Sequence, residues 1–273
     1  MTDTPSTTAT NLSVPYDWLV PDWPAPINVR ACCTTRQGGV SLAPYDSFNL
    51  GDHVGDDAGA VQANRAYLQQ VLQLPQAPAW LQQVHGTTLL RLPQQREGVA
   101  QADASVTNQA GYVCAVLTAD CLPLLFCDRQ GTTVAAAHAG WRGLAAGVIE
   151  ATVAELQVAP RELLVWLGPA IGPAAFEVGE DVRQAFIMHD AQAAAAFVEN
   201  ETVVKDVINT HTAAESGRWL ADIYILARQR LQRLGITDIY GGGLCTYADA
   251  RRFYSYRRDY TTGRMASLIW LTG

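Results

Sequence analysis

Three chemically capable side chains stand in three separate stretches of this chain, each where a β-strand reads as ending. The stretches are Gln83-Val84-His85-Gly86, Ala119-Asp120-Cys121-Leu122-Pro123 and Ala137-His138-Ala139-Gly140-Trp141-Arg142-Gly143. The gaps, 36 residues from His85 to Cys121 and 17 from Cys121 to His138, match no zinc-finger spacing. A fold that uses the trio must therefore gather three strand ends at one place. Two imidazoles and a thiol can hold a catalytic zinc whose fourth position stays open. The same groups can equally be a Cys nucleophile with a His base. A lone His beside Gly is ordinarily a packed or loop-bracing residue. Here two of only five His take such positions, and Cys121, between Asp120 and Leu122-Pro123, gains nothing in packing from its neighbours.

The rest of the chain supplies strands and helices to carry these ends. Strands are expected over Ile27 to Thr34, Trp80 to Val84, Thr87 to Leu92, Asp103 to Thr107, Tyr112 to Leu117, Pro123 to Cys127, Thr132 to Ala137, Leu163 to Leu167, Ile236 to Tyr240 and Ala266 to Leu271. A helix capped by Asp56 or Asp57 runs to about Leu74, with Val61, Leu68, Val71 and Leu72 at helical spacing. Further helices are expected over Leu144 to Leu156, near Glu180 to Met188, and over Arg218 to Leu234. Strand and helix interleave without strict β-α-β order, so mixed sheets are expected. Residues 1–20 read as a flexible tail, and residues 21–273 contain no composition shift that marks a linker.

About half of the 273 residues are apolar and 16% are charged, enough for a sizeable core. The net charge of -7 argues against nucleic acid or an anionic membrane as partner. It leaves room for a small phosphorylated or anionic substrate, which needs only an Arg or two. Six Cys without a C-x-x-C pair read as reduced thiols in a cytoplasmic protein. The apolar run from Tyr112 to Cys127 comes nearest to a membrane span, and Asp120 and Pro123 break it.

Other polar residues are candidates of lower weight. Arg36 before Gly38-Gly39, and Arg142 at a helix start, could hold phosphate or a carboxylate; a structural ion pair is the competing reading for each. Asp120 could orient a ligand His or move a proton, or simply form a turn. Asn49 and His53 flank a glycine loop that either could brace. Arg257-Arg258-Asp259 reads as a structural charge cluster. His189 and His211 have no supporting context and are given no function.

Along nearly its whole length after the tail, the chain resembles the YfiH family, also described as the laccase-domain or polyphenol-oxidase-like family. The resemblance is carried by Thr35-Arg36-Gln37-Gly38-Gly39-Val40-Ser41, Asn49-Leu50-Gly51, Val54-Gly55-Asp56 and Gln83-Val84-His85-Gly86. It continues through Ala102-Asp103-Ala104, Thr118-Ala119-Asp120-Cys121-Leu122-Pro123, Ala137 to Gly143 and Gly168-Pro169-Ala170-Ile171-Gly172-Pro173. Phe176-Glu177-Val178-Gly179, Tyr254 to Asp259 and Thr262-Gly263-Arg264-Met265-Ala266 complete it. At Ala174-Ala175, where some relatives carry Cys, this chain has no thiol.

The resemblance implies a single compact α+β domain over 21–273, with layered mixed β-sheets covered by helices. It implies a zinc ion on His85, Cys121 and His138, and purine nucleoside phosphorylase activity on adenosine, inosine and methylthioadenosine, with adenosine deaminase activity in the same site. Nucleoside and phosphate would be the partners, Arg36, Asn49 and Arg142 their binding residues, and a monomer the simplest assembly. Two alternatives come with the family: a Cys-dependent hydrolase that edits peptidoglycan precursors, and a copper-binding polyphenol oxidase. Five His, with no His-x-His, cannot build a blue centre together with a trinuclear cluster, so copper enters as a single ion replacing zinc. A zinc site suits deamination, because it lowers the pKa of bound water to about 7.

Overall fold

The computed structural model describes residues 12, 14–93, 98–200 and 218–273. Strand β1 (Val29–Cys33) precedes helix α1 (Ala58–Val71), where the Asp57 carboxylate accepts from the Ala60 amide and caps the first turn. Then come β2 (Leu81–Gln82), β3 (Leu89–Arg91), β4 (Ala100–Gln101), β5 (Ala104–Thr107), β6 (Val113–Thr118), β7 (Leu122–Asp128) and β8 (Val134–Ala139). The expected helix from Leu144 is two helices, α2 (Trp141–Ala146) and α3 (Val148–Leu156), broken at Gly147 with φ 102°. Strand β9 (Leu163–Leu167), β10 (Glu177–Gly179) and α4 (Glu180–Ile187) follow, then β11 (Phe197–Glu199).

The expected helix from Arg218 begins instead as strand β12 (Arg218–Ala221). Asp222 then accepts from the Tyr224 and Ile225 amides and starts α5 (Ile223–Arg233). Strand β13 (Asp238–Gly241), the short α6 (Tyr256–Asp259) and β14 (Met265–Leu271) complete the described chain.

Two sheets lie face to face. The larger runs β13-β9-β7-β8-β5-β3, and the smaller runs β1-β14-β6. In the larger, β13/β9 and β3/β5 are parallel and the central pairs antiparallel, so the sheet is mixed. Alternate residues of each strand serve different layers. Leu125 and Cys127 of β7 meet Cys114 and Val116 of β6 and Ile269 of β14 between the sheets. Leu122, Leu124 and Phe126 face α3 and α5 on the other side. Val113, Ala115 and Leu117 pack with Leu68 and Leu72 around α1. Both sheets are thus covered on both faces, which is why β6 and β7 read as one nearly continuous apolar run. No helix among the described residues is long and apolar enough to cross a membrane. A third sheet, β10-β12-β11, and the pair β2-β4 lie outside this sandwich.

Residues 1–11 and 13 of the expected tail lie outside the described residues. The rest of it is tied down. Trp18 is buried against Phe48, and Leu19 exchanges two backbone hydrogen bonds with Cys33. The packed chain begins before residue 21.

Candidate metal centre

Strand register brings the site together. In the β7/β8 pair, Leu122 stands opposite Ala139 and Pro123 opposite His138. Cys121, just before β7, therefore comes beside Gly140, just after β8. In the β5/β8 pair, Ala104 stands opposite Ala137, which sets Asp103 against His138 from the other side; the His138 amide donates to the Asp103 carbonyl at 2.7 Å. His138 is the second-last residue of β8, one place earlier than the strand end expected. His85 lies in a turn after β2 with φ 61°, the left-handed region that disfavours a side chain.

Asp103 holds that turn. Its buried carboxylate accepts from the amides of Val84 (3.2 Å), His85 (2.9 Å) and Gly86 (2.6 Å). One of its oxygens also lies 2.9 Å from His138 Nδ1. A single carboxylate thus fixes the loop that carries one imidazole and the ring of the other. Gln83 adds a second tether, exchanging side-chain hydrogen bonds with the amide and carbonyl of Leu117. The sequence reading missed Asp103 as a functional residue and gave the His-orienting role to Asp120. A carboxylate set between two alanines, Ala102-Asp103-Ala104, at the start of an apolar strand was the available signal.

The ligand atoms of His85, Cys121 and His138 all lie within 4.8 Å of one another. Cys121 Sγ is 3.7 Å from His85 Nε2, and the two imidazoles meet edge to face. Tetrahedral zinc with bonds of about 2.0 Å to nitrogen and 2.3 Å to sulfur needs a ligand edge of about 3.6 Å. The donor set therefore fits a zinc-like ion, with Asp103 on Nδ1 of His138 leaving Nε2 for the ion. Gly140 makes the approach possible, since a Cβ there would stand 2.5 Å from His85 Cδ2 and 3.0 Å from Cys121 Sγ. Gly143 makes room for the same loop; its Cβ would meet the Gly86 carbonyl at 2.9 Å.

Burial alone would push the Cys121 thiol up; the charge and hydrogen bonding of His138, joined by His85, outweigh it and bring the thiol down to about 6. Burial would lower His138, but Cys121 and Asp103 raise it to about 9. In the Asp103 carboxyl, burial is again the largest influence and acts upward. Its hydrogen bonds to His138, Gly86 and Val84 prevail and hold it below the usual carboxylate range.

These groups open into a cavity of about 500 Å³. Trp141, Ile171, Phe176 and Ile223 give it an apolar side, Arg142, Arg257 and Arg264 give it cationic groups, and His53, whose pKa is lowered by burial and by Arg264, also lines it. Of the expected binding residues, Arg142 is here, with its guanidinium over the Trp141 ring at 4.6 Å.

Arg36 is not in this cavity. Its guanidinium is spent on the Asp46 carbonyl and carboxylate and on the Ala250 carbonyl, over the Tyr254 ring, in a separate hollow. Asn49 is fully buried and braces its loop, bonding Gly51 and Asp56 and accepting the Arg264 amide. Neither lines the cavity that holds His85, Cys121 and His138.

Asp120 lines the cavity, but its carboxylate takes Thr246 Oγ1 at 2.6 Å and the Arg257 amide at 2.7 Å, not an imidazole. Its φ of 93° puts it in a left-handed turn that these bonds secure. The expected structural cluster divides: Arg258 pairs with Asp259 and ties loop carbonyls, while Arg257 belongs to the cavity. His189 is exposed on the surface, and His211 lies outside the described residues.

Residues 30–272 match the family described as multi-copper polyphenol oxidoreductase laccase. A Pseudomonas aeruginosa protein named purine nucleoside phosphorylase is 58% identical, over 93% of this chain and 98% of its own. The Escherichia coli purine nucleoside phosphorylase YfiH is 54% identical over the same shares. Among solved structures, a Neisseria meningitidis protein matches with TM-score 0.85 and 50% identity, over 94% of this chain and all of its own. YlmD from Geobacillus stearothermophilus matches with TM-score 0.80 and 29% identity, over 96% of this chain and 98% of its own.

Proposed function

The chain belongs to the YfiH, laccase-domain family, and from that membership we propose that it is a zinc-dependent enzyme that phosphorolyses purine nucleosides. The observation that carries this reading is the convergence of His85, Cys121 and His138 within 4.8 Å, in a cavity of about 500 Å³. Three protein ligands and an open side suit catalysis, since structural zinc is usually closed by four. The names of the relatives at 54% and 58% identity supply the reaction class.

The cavity's aromatic and aliphatic side, Trp141 and Phe176 with Ile171 and Ile223, offers a flat apolar surface for a purine ring. A zinc ion, when bound, supplies Lewis acidity and a lowered pKa for its water. The protein's own part is orientation. Asp103 aims the His138 ring and holds the loop that carries His85, and Asp120 is a positioning residue that fixes the Arg257 main chain. We place adenosine, inosine and methylthioadenosine among the substrates, with deamination of adenosine as a second activity of the same groups. Zinc is preferred over a single copper because both imidazoles and the thiol are accounted for without redox chemistry. Of the five His, two are in the centre and His53 is the third at the cavity, which supports no multicopper cluster. All six thiols are free, in keeping with a cytoplasmic location.

The test is product formation from adenosine by zinc-loaded protein, with and without phosphate. Adenine formed only with phosphate is the expected result; inosine in both conditions would report deamination. Absence of both products would overturn the nucleoside reading. One observation favours the alternative of a Cys-dependent hydrolase: a thiol brought to about 6 beside an imidazole. That reading requires a covalent adduct on Cys121 when metal-free protein meets a muramyl peptide.

A further inference from the structure

We propose that Arg142, Arg257 and Arg264 form one binding site for free inorganic phosphate inside the cavity that holds His85, Cys121 and His138. Most other arginines among the described residues are neutralised, as in Arg65–Asp52, Arg129–Asp238 and Arg230–Glu150. These three form no ion pair among the described residues, yet they line one cavity of a chain with net charge -7. Among the described residues that line the cavity, Asp120 is the one carboxylate, and it stands against three guanidiniums. The cavity is therefore locally cationic against the sign of the whole molecule, as anion capture requires.

The guanidiniums are also held in place. Arg257 donates from Nη1 to the carbonyls of Ala175 and Glu177. Arg264 donates from Nη1 to the carbonyls of Thr262 and Gly263. Each is anchored through one nitrogen, and no hydrogen bond from Nε or Nη2 is formed within the described residues. That remaining edge is the fork that binds an oxyanion through two parallel hydrogen bonds. Arg142 rests on the Trp141 ring, which limits its side-chain freedom. The backbones are set as well: Asp120 accepts the Arg257 amide, and Asn49 accepts the Arg264 amide. Asn49 and Asp120 thus act on phosphate through the arginines they position. Three charged donors held before the ligand arrives lower the ordering cost of binding.

The choice of phosphate as the oxyanion rests on the phosphorolytic reading, so binding is tested apart from turnover. Inorganic phosphate is titrated calorimetrically into wild-type protein and into Cys121→Ser, without nucleoside. Both are expected to bind with similar affinity, because the arginines and not the metal ligands hold the anion. Arg142→Gln and Arg264→Lys are expected to weaken binding by about tenfold or more, the size of a lost charge-assisted contact. Arg36→Gln is expected to bind as wild type does. Arg142 is exposed and makes a stacking contact alone, so Arg142→Gln tests the site even where Arg264→Lys fails to fold. In turnover, Arg142→Gln should raise KM for phosphate by about tenfold and leave KM for adenosine within about twofold. Unchanged phosphate affinity in the cavity variants would overturn the proposal. So would loss of binding in Cys121→Ser, or binding of adenosine monophosphate without binding of free phosphate. A protein that binds phosphate but cleaves no nucleoside refutes the functional reading and leaves this site standing.

Discussion

Gly140 is the residue at which one added carbon does most damage. Its φ of -63° is open to any residue, so the constraint is spatial: the Cβ would intrude on His85 and Cys121 together. Gly140→Ala should fold with near-normal circular dichroism and lose bound zinc, measured as metal per chain by mass spectrometry. Full zinc content would show that the two ligands can move apart. Cys121 should also differ from the other thiols in reactivity. Burial raises Cys32, and it raises Cys33 and Cys114 to about 12, so these stay protonated and shielded. Because Cys121 is brought to about 6, its thiolate is present above that pH and lost below it. Metal-free protein at pH 7 should therefore be alkylated by iodoacetamide at Cys121 first, and zinc should protect it; peptide mapping that finds another cysteine modified faster would contradict this. The three residues that the fold brings together were legible from residue type and Gly or Pro context. Asp103 was not, because a carboxylate in a strand shows its role through the donors that surround it. Arg36 looked like an anion binder beside glycines, and its partners Asp46 and Ala250 come from a loop and from far along the chain.

At the level of elements, the sequence pattern located the strands of the two large sheets, missed the short β4, β10, β11 and β12, and misread two helices for opposite reasons. Leu144 to Leu156 keeps a helical apolar period across Gly147, yet Gly147 turns left-handed, separating α2, which carries Trp141 and Arg142, from α3. A Cβ at Gly147 meets nothing closer than Glu150 at 3.5 Å, so the cost of Gly147→Ala is conformational. The substitution should lower stability by about 1 kcal/mol, read from the denaturant midpoint; an unchanged midpoint would mean the junction straightens without penalty. The helix expected over Arg218 to Leu234 takes in four residues that are strand β12. Strand pairing with Glu177–Gly179 and Phe197–Glu199 claims them instead, and Asp222 is the true start of α5. Asp222→Ala should lower stability by about 1 kcal/mol through loss of two capped amides, again measured by denaturant; no change would place the helix start elsewhere.

For the whole molecule, metal binding should be linked to global stability. His85, Cys121 and His138 come from three separate segments of the chain, so an ion that binds them in the folded state alone stabilises the fold by mass action. Chelation should lower the wild-type Tm, and Cys121→Ser should show no Tm response to zinc. Equal responses in both proteins would place the ion elsewhere. Local physics was sufficient for much of this protein. The order of strand and helix patterns pointed to mixed sheets, and residue chemistry picked out the trio that the fold gathers. Those properties belong to short windows or to their order along the chain, and a linear reading reaches them. Register, and the anchoring of Arg257, depend on partners tens of residues away. The pairing of β7 with β8 and β5 brings Cys121 and Asp103 to His138. Carbonyls from Ala175 and Glu177 position Arg257, while the Ala250 carbonyl helps to occupy Arg36. Long-range contacts of that kind exist when the chain is folded, and no window of sequence contains them.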